Sequence, residues 1–204
     1  MSNIVPLFSI PLFIDELVVS QADRDFCKSL EMKHDGPSNM DISIDPRVLD
    51  CPEFIHLMNS AQSAIEVYVR DILHIDNRTH FNITTSWYTD ITDSSNISNH
   101  YHTHSLFTGV IVLEADPGSR LILHIETPPI VPKIFDFDYL EYNTFNSKSW
   151  FVDLEPNHIY IFPSTINHSA KLIEQNTKLS LIAFDTFISG SVGEDINKIH
   201  ISTI

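Results

Sequence analysis

The sequence predicts a mainly β protein with N-terminal helices (α+β), of the sandwich or jelly-roll type with the helices packed on one face. Three observations lead there. The 204 residues, 43% of them hydrophobic, are enough for one domain with a substantial core. Apolar residues recur with a helical period between Phe54 and Leu73, and after residue 80 the period changes to two. Turn chemistry such as Asp116-Pro117-Gly118-Ser119 and Glu155-Pro156-Asn157 then separates short apolar runs. The expected organisation is a single domain over 1–204: a helical N-terminal part over 1–79 packing on the sheet, a β core over 80–190, and a C-terminal tail over 191–204.

Residues 4–20 alternate apolar runs with Pro6 and Pro11, which suits an edge strand or extended arm. Gln21–Lys33 sets Phe26, Leu30 and Met32 among charges, a short helix. The clearest helix starts at Asp50: Asp50 or Cys51 caps it, Pro52 fits the first turn, and Glu53 meets the positive end of the dipole. Its stripe runs Phe54, Leu57, Met58, Ala61, Ile65, Tyr68, Val69, Ile72 and Leu73, ending near His74–Asn77. Strands follow at Phe81–Tyr88, Phe107–Glu114, Arg120–Glu126, Trp150–Leu154, His158–Phe162 and Lys178–Ile188. Residues 127–149 lack periodicity and are rich in aromatics and acids, the character of a functional loop.

Composition excludes several classes. Twelve Lys and Arg stand against 27 Asp and Glu, a net charge of −15, which argues against wrapping nucleic acid or adhering to an anionic membrane. With 5 Gly, no glycine-rich phosphate loop is present. Cys27 and Cys51 lack C-x-x-C spacing and read as reduced thiols. The start has no basic region or small-residue cleavage site, and no run approaches the length of a membrane span. A cytoplasmic location is expected, with a small-molecule, peptide or protein substrate, and an apolar N-terminal arm able to pair with a second copy.

The unusual count is 11 His. Three fall at alternate positions, His100, His102 and His104, just before a strand. In an extended segment these point to one side, and imidazoles at that spacing suit a divalent transition metal. His168, 66 residues after His102, is a candidate third ligand at the end of Phe162-Pro163-Ser164-Thr165-Ile166-Asn167. The other histidines read as surface or packing residues.

Three blocks, NHYHTHSLFTGV from Asn99, IYIFPSTINHSA from Ile159 and KLSLIAFDT from Lys178, resemble the iron(II)- and 2-oxoglutarate-dependent oxygenases. The resemblance is to a group of small oxygenases found in bacteria and tailed phages, with the pattern H-x-H-x-N-S-x-x-S-G-V, then F-P-S-x-x-x-H, then R-x-S-x-x-F-N. His100, His102, Ser105, Thr108, Gly109 and Val110 fit the first block. Phe162, Pro163, Ser164 and His168 fit the second, and Ser180, Phe184 and, loosely, Asp185 the third. The opening PLFSIPLF also resembles the group's start.

The resemblance implies a double-stranded β-helix (jelly roll, cupin-like) with Fe(II) held by His100, His102 and His168. It also implies 2-oxoglutarate as cosubstrate, with Lys178 and Ser180 at its far carboxylate, and a hydroxylase reaction on an unidentified substrate. Two departures stand out. The larger class carries a carboxylate where His102 lies, so Asp90 or Asp93 is an alternative ligand and His104 a supporting residue or another alternative. Lys178 replaces an arginine and cannot make its bidentate fork. The rival expectation is a metal-binding jelly roll that is non-catalytic or independent of 2-oxoglutarate.

Overall fold

A computed structural model of the chain describes residues 9–35, 40–92, 97–124, 138–172 and 177–202. Strand β1 (Phe13–Glu16) leads to helix α1 (Gln21–Ser29). Ser20 caps α1 reciprocally: its hydroxyl accepts from the Asp23 N–H, and the Asp23 carboxylate accepts from the Ser20 N–H at 2.6 Å. The helix is shorter than the sequence suggests because Met32 already begins a strand. β2 (Met32–Asp35), which begins inside the expected helix, and β3 (Met40–Ser43), where no element was expected, form an antiparallel pair.

The long helix also starts differently. Single 3₁₀ turns at Val48–Asp50 and Pro52–Phe54 precede α2 (Ile55–Val67), and a π turn at Tyr68–Ile72 closes it. Asp50 pairs with Arg47 at 2.7 Å instead of capping. The buried stripe of Leu57, Ala61 and Ile65, continued by Tyr68 and Val69, is as expected; Ala64 joins it, and Ile72, expected in it, is exposed at the end of the π turn.

The remaining strands are β4 (Thr79–Thr92), β5 (Ile97–His100), β6 (Phe107–Ala115), β7 (Arg120–His124), β8 (Ser149–Asp153), β9 (His158–Pro163), β10 (Asn167–Lys171), β11 (Lys178–Val192) and β12 (Ile199–Ile201). Two antiparallel sheets result. The large one runs β1-β9-β6-β11-β4-β3-β2, with β12 folding back on β11; the small one runs β5-β10-β7-β8. From β4 to β11 the chain alternates between the sheets except at the hairpin of β7 and β8, both in the small sheet, which is the order of a double-stranded β-helix. β1 occupies the edge beside β9, as its Pro-flanked sequence predicts.

The large sheet has an apolar core on each face. On one face Ile111, Leu113, Ile159, Ile161, Ile182 and Phe184 pack against α2. On the other, Val110, Val112, Phe162, Leu179, Leu181 and Ala183 meet Leu121 and Ala170 from the small sheet and Leu154 just after β8, forming the barrel interior. The side chains of β11 therefore divide cleanly by parity between residues 179 and 184.

Gly109 on β6 lies directly beneath the Phe184 ring. A Cβ there would fall 1.9 Å from Phe184 Cζ, so the ring occupies the space a side chain would need. Gly109→Ala is expected to destabilise the fold by ~1–3 kcal/mol through overpacking, read as a lower urea midpoint. Phe184→Leu in the same chain should recover part of that loss. An unchanged midpoint for Gly109→Ala would refute this packing account.

Candidate metal centre

Pairing of β5 with β10 creates the site. His100, at the end of β5, is directly opposite His168 on β10, and β10 in turn aligns His168 with Leu123 of β7. His102 lies two residues beyond His100, and its backbone N–H donates to the Ser164 carbonyl at 3.0 Å. The Pro163-Ser164 turn thereby fixes the backbone of one histidine and delivers the chain to another. The ligand-capable nitrogens of His100, His102 and His168 all lie within 4.8 Å of one another.

Each ring is held from behind. His100 Nδ1 lies 2.8 Å from the Ser98 carbonyl, His168 Nδ1 3.0 Å from the Ile166 carbonyl, and His102 Nδ1 2.8 Å from Asp185 Oδ1. All three partners are acceptors, so they select the tautomer protonated at Nδ1 and leave every Nε2 lone pair free. Nε2 of His100 and Nε2 of His102 are 3.1 Å apart. That is close to the ~3 Å spacing of neighbouring ligands on one ion with metal–nitrogen bonds of ~2.1 Å. Burial, reinforced by His100, pushes the His168 imidazole down to about 3, and burial also lowers that of His100. Both rings are therefore neutral at pH 7, the form that binds metal.

Sequence reasoning missed the part played by Asp185. Its Oδ1 accepts from Thr108 Oγ1 at 2.8 Å as well as facing His102, and Thr108 lies 2.9 Å from the Ser164 hydroxyl. His102 and Asp185 are nearly enclosed, with side chains 9% and 14% exposed. The loose fit of Asp185 to the Asn of the third block was the one available signal. A second missed residue is Trp150. The small sheet places Trp150, Leu123, His168 and His100 in one row across β8, β7, β10 and β5. Paired residues share a face, so Trp150 faces the barrel side at the level of the histidines while remaining half exposed. Trp87, from β4, lies with its ring 5.4 Å from that of His102.

Lys178 and Ser180 do not join this cluster. Ser180 hydrogen-bonds Tyr88, on the helix-facing side of the large sheet. Lys178 Nζ pairs with Glu114 Oε2 at 3.1 Å and approaches Asp90 Oδ2 at 3.8 Å, and Glu114 also holds Lys28 of α1. The cause is a register slip. The third block spaces its Ser and Phe three residues apart, whereas Ser180 and Phe184 are four apart. Counting back from Phe184-Asp185 puts Leu179 and Leu181 at the Arg and Ser positions, and a one-residue slip on a strand turns every side chain to the other face.

Asp90 likewise lies on the far face, with Lys178, so it is not a ligand alternative; Asp93 falls outside the described residues. His104 is exposed, sits at φ +60°, and is not among the clustered nitrogens. Of the loop over 127–149, only residues from 138 onward are described. Its exposed Leu140 and Tyr142 precede β8, whose first residues lie at the metal end of the small sheet.

Beneath the imidazoles is a cavity of about 40 Å³. Its walls are Met40, Trp87, Ile97, Val110, Leu121, Leu154, Ala170, Leu181 and Ala183, with Thr89 and Thr108 as the only hydroxyls among the described residues. The residues therefore fit a divalent metal through three imidazoles. They fit the far carboxylate of a dicarboxylate poorly: no Lys or Arg among the described residues lines this wall.

No curated protein matches the sequence. Among solved structures, the chain is similar to a Pseudomonas putida prolyl-4-hydroxylase (TM-score 0.59, 11% identity, covering 88% of this chain and 94% of that one). It is also similar to the non-heme alpha ketoglutarate dependent epimerase SnoN from nogalamycin biosynthesis (TM-score 0.61, 10% identity, 89% and 80% covered). A third is HygX from Streptomyces hygroscopicus, crystallised with nickel, 2-oxoglutarate and hygromycin B (TM-score 0.57, 11% identity, 87% and 82% covered). At these identities the likeness establishes the fold, a double-stranded β-helix. Residues 85–185 match the family described as "Putative 2OG-Fe(II) oxygenase", a span that contains all three clustered histidines and Asp185. Over that span, just under half of the chain, the sequence is similar to the 2OG-Fe(II) oxygenase family.

Proposed function

We propose that the protein is an Fe(II)-dependent oxygenase, a hydroxylase driven by a 2-oxo acid, with the metal held by His100, His102 and His168. One observation carries the reading: three Nε2 atoms converge while each Nδ1 faces a fixed acceptor. A histidine cluster serving only packing has no need of three matched tautomers.

When bound there, iron(II) supplies oxygen activation coupled to decarboxylation of the 2-oxo acid, one oxygen atom going to that acid and one to a substrate C–H. The protein's own contribution is positional. The three imidazoles would hold the ion from one side of the cluster. Asp185 holds His102 in orientation, and its negative charge offsets the extra positive charge of a centre without a carboxylate ligand. Trp87 excludes water on the side of His102. Trp150 stands at the rim, where a small-molecule, peptide or protein substrate would be held against an aromatic edge. We place the enzyme in the cytoplasm; among the described residues no helix is long and apolar enough to cross a membrane.

The test is carbon dioxide release from a panel of 2-oxo acids, 2-oxoglutarate included, by the iron-loaded protein with oxygen and ascorbate. Anaerobic mixing should give the weak visible charge-transfer band of a chelated 2-oxo acid. A folded, iron-loaded protein that shows neither would instead be a metal-binding jelly roll without this chemistry.

A further inference from the structure

The wall beneath the histidines is apolar where a 2-oxo acid bound to the metal would extend its tail. Leu121 comes from β7, Val110 from β6, and Leu181 and Ala183 from β11; all four are at most 6% exposed. The two hydroxyls that reach this space have no proton to offer a carboxylate. Thr89 Oγ1 donates to the Asp41 carbonyl at 2.8 Å, and Thr108 Oγ1 donates to Asp185. The basic residue expected in this role, Lys178, is on the other face of β11 and already shared between Glu114 and Asp90.

A second carboxylate against the aliphatic wall would lose its hydration and gain no cation or hydroxyl donor in return. A short alkyl tail would lose nothing polar and would fill a cavity of about 40 Å³ lined by aliphatic side chains.

We propose that this centre prefers a 2-oxo acid with a short uncharged tail, such as 2-oxobutyrate, over 2-oxoglutarate. The proposal rests on the reading of the histidines as an iron site that chelates a 2-oxo acid, and it concerns which tail the barrel selects. The same carboxylate and oxo group would meet the metal in either acid, so the difference arises wholly in the wall formed by Leu121, Val110, Leu181 and Ala183.

Binding is measured by calorimetry on the intact protein loaded with Ni(II), where no turnover intervenes. 2-Oxobutyrate is expected to bind ~10-fold or more tighter than 2-oxoglutarate, the ratio that one unpaired buried polar group produces. Lys178→Ala should leave both affinities within twofold. Leu181→Arg, which puts a cation into the wall, should reverse the preference; the wild-type and Lys178→Ala measurements stand without it if that variant does not fold. Tighter binding of 2-oxoglutarate by the wild type, or its loss in Lys178→Ala, would overturn the proposal and leave the iron site intact. Binding of neither acid to nickel-loaded protein would overturn the proposed function itself.

Discussion

His168→Ala is expected to abolish stoichiometric binding of Fe(II) or Ni(II), measured by calorimetry and by metal content after dialysis. His168 is the most enclosed of the three, 5% exposed, with its ring 4.4 Å from that of His100 and 5.0 Å from that of His102. Removing it deletes one of three donors, so the loss should exceed the ~10–100-fold reduction typical of removing a partner behind a ligand. The fold should survive with a modest penalty. The lost ring also packs edge-on to Phe162 at 4.8 Å and leaves the Ile166 carbonyl without its partner, a cost of ~1–3 kcal/mol. His104→Asn is the matched control. It retains a residue that tolerates positive φ at an exposed position and should leave metal affinity unchanged. If His168→Ala kept its metal within twofold, the three-histidine assignment would be wrong. If His104→Asn lost its metal, the ligand set would have to include the loop.

What was legible in the sequence follows from element length and strand phase. β4, β6, β7, β8, β9 and β11 were visible as runs rich in apolar, β-branched or aromatic residues. β2, β3, β5 and β10 are four or five residues long with at least half of them polar, and β12 is three residues long, so no such run marks them. Two of these, β5 and β10, carry His100 and His168. The site was nevertheless partly legible, because the spacing of His100 and His102 keeps them on one side whether or not a strand is recognised around them. His168 could be offered as a third ligand from its place after the Pro163-Ser164 strand end, but nothing local to Asn167–Lys171 announces that β10 will lie beside β5. Lys178 and Ser180 show the opposite case. Their strand was recognised, but a bulge displaces the β11 register against β6 after Ser180, and motif spacing read one residue out placed both side chains on the helix-facing side. Recognising a strand does not fix its phase, and on a sheet buried on both faces either phase meets an apolar core.

The same phase that removes Lys178 from the barrel brings Asp185 in, and this explains how a three-histidine centre can approach the charge of one with a carboxylate ligand. Replacing a metal-bound carboxylate with a neutral imidazole leaves the ion one unit more positive. Asp185 returns that unit from behind His102, 2.8 Å from Nδ1, with Thr108 steadying the carboxylate at the same distance. In a site this enclosed, solvent does not screen the charge fully, so it acts through the ring as well as orienting it. Asp185→Asn separates the two effects: the amide oxygen can still accept from Nδ1, but the charge is gone. The variant is expected to bind Fe(II) ~10–100-fold more weakly. Its Fe(III)/Fe(II) potential should rise, because the lost negative charge stabilised the more positive oxidation state more strongly. Thr108→Val keeps the charge and removes only the steadying bond, so it should shift affinity in the same direction by less and leave the potential near the wild-type value. Calorimetry and spectroelectrochemistry on the iron-loaded proteins measure both quantities. An Asp185→Asn protein with unchanged potential would mean that the carboxylate only orients the ring, and the charge deficit of the three-histidine centre would then stand uncompensated.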